Sequence, residues 1–102
     1  MKPSELEQKG LSVNDDVVGR IKDVSINEGG LYSCNIVDLD LDKFPELVRL
    51  LKSFDDTFLN LSLMLLDPIQ DEITAGYEIK IGSTPLTYVH LTEGSRLGFR
   101  FD

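Results

Sequence analysis

The sequence predicts an α+β domain, in which a mostly antiparallel sheet of about five strands carries one or two helices packed on one face, as two layers. Three observations lead there. Apolar and polar residues alternate over several short stretches, Gly, Pro, Asn and Asp punctuate them, and a single segment shows clear helical spacing. A length of 102 residues fits one domain. The polar start, with Pro3 and Gly10 as breakers, reads as a flexible tail over residues 1–11, leaving 12–102 as the domain.

From Ser12, the residues Val13, Val17, Ile21 and Val24 fall on one helical stripe, with Asp15 and Asp16 early and Arg20 and Lys22 late, as the helix dipole favours. A helix is expected there, although Gly19 and five β-branched residues also suit a strand. Asn27-Glu28-Gly29-Gly30 reads as a turn and residues 31–41 as a strand, because Val37, Leu39 and Leu41 alternate with Asp38, Asp40 and Asp42. Residues 45–54 form the clearest helix: Leu47, Leu50, Leu51 and Phe54 share one face, Arg49 and Lys52 the other, and Pro45 suits the first turn. Alternation then predicts strands near 58–66, 72–81, 86–92 and 96–101, with Asp67-Pro68 as a break.

Acids outnumber bases 18 to 10, and the net charge of −8 repels nucleic acid and anionic membranes while attracting cationic partners. The excess is uneven. Positions 53–79 hold Asp55, Asp56, Asp67, Asp71, Glu72 and Glu78 and no base. Of these, Asp55, Asp56, Asp67, Asp71 and Glu72 are the candidate partner-binding residues, displayed on loops between strands. Cys34 is the single cysteine, so the chain cannot form a disulfide within itself, and Met1 to Glu5 lack the apolar stretch of a secretory signal. A cytoplasmic location is expected.

Asp38-Leu39-Asp40-Leu41-Asp42 is the sharpest chemical motif, because carboxylates two apart on a strand face can hold a hard cation. Asp38, Asp40 and Asp42 are therefore the metal candidates. A calcium loop does not fit, since Lys43 and Arg49 occupy the positions that need Gly and Glu. A strand ending in Asp38-Leu39-Asp40 resembles the first motif of the haloacid-dehalogenase phosphatases. That resemblance implies Asp38 as nucleophile and Asp40 as acid/base. It covers about five residues, Asp42 stands where that family usually has Thr or Val, and the chain is short for its parallel-sheet core. Cys34 and His90 form a conceivable nucleophile and base, but each lies within an expected strand, without the helix start that activates a thiol. Tyr32, Met64, Tyr88 and His90 are expected to point outward.

The expected function is a non-catalytic acidic binding or assembly module, of inhibitor or antitoxin type, that covers a basic partner and needs no cofactor. One alternative is a small-ligand pocket between helix and sheet. Another is a carboxylate-metal-dependent hydrolase at Asp38 and Asp40. The long apolar strand at 58–66 further suggests a homodimer through a sheet face or edge.

Overall fold

The computed structural model describes residues 2–60, 66–92 and 95–101. Its elements run α1 (Pro3–Leu6), β1 (Gly10–Val13), β2 (Asp16–Ile26), β3 (Tyr32–Val37), α2 (Pro45–Leu59), α3 (Leu66–Gly76), β4 (Ile79–Ile81), β5 (Thr84–Pro85), β6 (Tyr88–Thr92) and β7 (Arg96–Arg100). The strands form one sheet in the order β5-β4-β1-β2-β3-β7-β6, and every described pairing is antiparallel.

The sheet is curled. β4 and β6 stand five places apart in that order, which in a flat sheet separates them by about 24 Å. Yet Ile79 of β4 and Val89 of β6 line the same enclosed space of about 20 Å³, together with Leu47 and Leu51 of α2. Curling lets α2, joined by Ile73 of α3, close the concave side. The core there includes Leu11, Val13, Ile21, Cys34, Ile36, Leu47, Leu51, Ile73, Ile81, Leu97 and Phe99.

An α+β fold with an antiparallel sheet agrees with expectation, but the sheet has seven strands rather than about five. Three strands are new, β1 and β2 in the N-terminal region and the two-residue β5, while the expected strand 58–66 is not a strand at its described ends. The expected helix from Ser12 to Val24 is a hairpin of β1 and β2, turned by Asn14 and Asp15 at φ of 50° and 70°. Asn and Asp tolerate that left-handed backbone, and two such residues make the turn whose twist suits a hairpin. Asn14 Oδ1 accepts from Glu78 N at 2.8 Å, and Asn14 N donates to Glu78 O at 2.9 Å, fastening the turn to the start of β4. Gly19 is needed in β2, because a Cβ there would lie 2.7 Å from Ile36 Cγ2 and 3.1 Å from Val37 O.

Nor is the N-terminus a free tail up to residue 11. Leu6 is fully buried, Gln8 N donates to Ile21 O at 2.9 Å, and the boundary expected at residue 12 falls inside β1. Glu7 fixes this segment. Its carboxylate accepts from Asp23 N at 2.9 Å and Val24 N at 2.8 Å, where β2 bulges and Asp23 takes φ of 54°.

The largest correction lies in the middle of the chain. Leu47, Leu50, Leu51 and Phe54 are buried on α2 as their spacing predicts, but the helix runs on through Asp55, Asp56, Phe58 and Leu59. Strand 58–66 is therefore helical at 58–59 and again at Leu66, while residues 61–65 lie outside the described ones. The expected strand 72–81 is helical to Gly76 and extended only at Ile79–Ile81. Asp67-Pro68 begins α3 instead of breaking a strand, since a first-turn proline loses no hydrogen bond and a first-turn acid suits the dipole. The expected strands near 31–41, 86–92 and 96–101 are present as Tyr32–Val37, Tyr88–Thr92 and Arg96–Arg100.

Candidate functional site

The chemistry gathers where α2 meets the edge strand β6. Leu50, Phe54 and Phe58 recur every fourth position of α2, so their side chains stack along one stripe of the helix. On β6, Val89 and Leu91 face the core, and alternation sends Tyr88 and His90 to the other face. Phe54 meets Tyr88 and His90 edge-on, with ring centroids 5.7 and 5.0 Å away, and Phe58 lies 4.9 Å from His90. The helix thus packs against both faces of β6, Leu51 on one and Phe54 on the other.

Within this aromatic setting His90 Nε2 lies 2.7 Å from Asp55 Oδ1, with side chains only 12% and 16% exposed. The distance is that of a hydrogen bond between the imidazole and the carboxylate. Beside the pair a groove of about 510 Å³ runs between α2 and the end of β6. Val48, Lys52, Asp56 and Leu59 form its helical wall and Leu91 and Thr92 its strand wall. Val48 is 41% and Leu59 70% exposed, so the groove combines apolar surface with one base, Lys52, and two acids, Asp55 and Asp56.

The candidate acids do not behave as a set. Asp56, Asp67, Asp71 and Glu72 are exposed, but on helices rather than loops between strands. Asp55 is largely covered and bound to His90, which removes it from a free acidic surface. The chemical pair was missed in the sequence because Asp55 and His90 are 35 positions apart and meet only when α2 lies across β6.

Asp38, Asp40 and Asp42 do not line up on one strand face. β3 ends at Val37, Asp38 takes φ of 56°, and Asp40 Oδ1 accepts from Asp42 N at 3.0 Å in a local turn. Asp38 lies 3.9 Å from Arg20, both side chains exposed. Among the described residues, no group of three or more His, Cys, Asp or Glu side chains is arranged to hold a metal ion. The strand before the motif also runs antiparallel to both neighbours, unlike the parallel core that the phosphatase resemblance implies.

Cys34 and His90 are not partners. Cys34 stands opposite Leu97, and Leu97 opposite Leu91, so Cys34 shares the concave face with Leu91 while His90 projects from the convex one. Burial pushes the Cys34 thiol up from 9.0 to about 12, which suppresses the nucleophilic thiolate. Of the four residues expected to point outward, Tyr32 is buried between Phe99 and Phe101, Tyr88 and His90 pack under α2, and Met64 lies outside the described residues. The space between α2 and the concave face, about 20 Å³, has room for about one water, whereas the open groove between α2 and the end of β6 measures about 510 Å³.

The homodimer loses its motive, because the apolar strand 58–66 on which it rested is not a strand at its described ends. The real edge, β6, is occupied instead. The Gln70 side chain of α3 donates from Nε2 to Val89 O and accepts from Val89 N at Oε1, 3.2 Å away, as a neighbouring strand would. No described helix is long and apolar enough to cross a membrane. Compared with protein-family models, curated proteins and solved structures, the chain has no match.

Proposed function

We propose that this domain is a non-catalytic, cytoplasmic binding module, of inhibitor or antitoxin type, whose helical side covers a basic protein partner. The observation that carries the reading is the charge of α2 and α3. Across Pro45–Leu59 and Leu66–Gly76 the exposed charges are five acids (Glu46, Asp56, Asp67, Asp71, Glu72) and two bases (Arg49, Lys52), a balance of 2 − 5 = −3. Arg49 is already paired with Glu46 at 2.9 Å. Exposed Val48 and Leu59 add apolar area beside Asp56, the mixture from which an interface centre and its polar rim are built.

The acids would chiefly speed encounter, so added salt should slow association before it raises dissociation. The test is co-purification from source cells with the wild-type domain and with Asp56→Lys/Asp71→Lys/Glu72→Lys, with the fold checked by circular dichroism. A basic protein captured by the wild type and lost by the variant supports the reading. Equal capture at low salt sinks it.

A further inference from the structure

On its convex side, beyond the strip of β6 that α2 covers, the sheet has a face of the other sign. Cross-strand register settles which side chains share it. Lys22 stands opposite Asn35, Asn35 opposite Arg96, and Arg96 opposite Thr92, and directly opposed residues of antiparallel strands project to one side. Arg20, two residues before Lys22, and Arg100, four after Arg96, join them by alternation. All four basic side chains are exposed. With strands about 4.8 Å apart and about 3.4 Å per residue, they spread over an area of about 10 by 20 Å.

Two acids share the area, so four bases against two acids leave a net charge of 4 − 2 = +2. Asp38 lies 3.9 Å from Arg20, and Asp23 Oδ2 accepts from Asn35 Nδ2 at 3.1 Å. Arg96 is held without being neutralised: it donates from Nη1 to Asn35 Oδ1 at 3.3 Å and from Nη2 to Ser33 Oγ at 3.2 Å, both uncharged acceptors. A guanidinium has five N–H groups, so donors remain for a carboxylate, and the fixed geometry lowers the entropy cost of binding one. Lys22 and Arg100 have no ion pair among the described residues.

We infer that this uncovered face of β2, β3 and β7 binds an acidic protein segment whose carboxylates pair with Lys22, Arg96 and Arg100. An extended segment of about six residues spans the area. A nucleic acid fits less well, because its charge continues past the patch into the field of a chain with net charge −8. Half-buried Val37, opposite Arg20 on the same face, provides an apolar contact between the charges. The inference does not rest on the partner proposed for the helical acids.

The test is fluorescence anisotropy of a labelled hexaglutamate peptide titrated with the full chain at low and physiological salt. The wild type should bind and weaken with salt. Lys22→Gln/Arg96→Gln/Arg100→Gln should bind about tenfold less tightly or worse. Because Arg96 takes part in bonds across the sheet, Lys22→Gln/Arg100→Gln is measured as well and should show a smaller loss with an unchanged melting temperature. Lys43→Gln/Arg49→Gln/Lys52→Gln removes the same charge from the helical side and should leave binding close to wild type. Absence of binding at low salt, or equal weakening by the two triple variants, overturns the inference. So does tighter binding of a 20-nucleotide single strand, or self-association of the protein that the face variants abolish, which would make the occupant a second copy.

Discussion

The two edges of the sheet are protected in different ways. β6 is five residues long and leaves Val89 with both backbone groups pointing away from β7, where another strand could pair. Three devices close it: Gln70 answers both groups, Phe54 covers Tyr88 and His90, and Asp55 ties His90 to α2. β5 at the other edge has two residues, one of them Pro85, which offers no N–H. A short edge with a proline needs no cover, whereas a longer apolar one takes two helices. The acidic segment of the chain is therefore first a piece of structure, and its binding surface is what remains after the edge is covered.

Substitutions can break this contrast. Phe54→Ala should cost the most, about 3–5 kcal/mol, since it empties the contact between α2 and the convex side of β6; chemical denaturation measures it, and a loss under 1 kcal/mol would mean α2 is not anchored there. Gln70→Leu leaves Val89 N and O without their partner, at about 1–3 kcal/mol for each group that stays buried and unpaired. It should also make the protein self-associate in sedimentation more than wild type does, because the edge is reopened. Asp55→Ala leaves His90 Nε2 unmatched and should cost about 1–3 kcal/mol. If instead the variant is as stable as wild type, the pair serves something other than holding α2.

Alkaline pH tests both edges together. Burial raises Tyr88 on β6, hydrogen bonding to Glu78 raises Lys80 beside β5, and burial raises Cys34 between them from 9.0 to about 12. In each case the unfolded chain gives up its proton first, so above the unfolded pKa the folded state holds more protons and stability falls as pH rises. Thermal melts should be level in these terms up to about pH 9 and decline toward pH 12. Cys34→Ala should flatten part of that decline, and an unchanged slope would show that the thiol contributes nothing to it. Smallest of all, Pro85→Thr should change stability by no more than about 0.5 kcal/mol, because two residues give an incoming strand little to pair with.

These edges also show where the sequence was legible. The buried face of α2 followed from four side chains within eight positions, and β6 and β7 from strict alternation over five residues each. Asn14 and Asp15 carried a readable hairpin signal too, but a helical spacing of valines ran across them, and a turn set by left-handed backbone competes poorly with periodicity in a single sequence. At Phe58, Leu59, Leu66 and residues 72–76, the local pattern suits a strand, and these residues are helical where Phe58 and Gln70 find partners on β6.

By itself, then, the sequence determined the α+β class, the core stripe of α2, the net charge of −8 and the isolation of Cys34. Each of these rests on neighbours within a turn or two of chain, or on counting. Only the tertiary structure decided that residues 66–76 are helical, that Asp55 belongs to His90, and that bases scattered from Arg20 to Arg100 share one face. Those outcomes depend on contacts between residues tens of positions apart, whose energy exists only once the sheet has curled and α2 has crossed its edge.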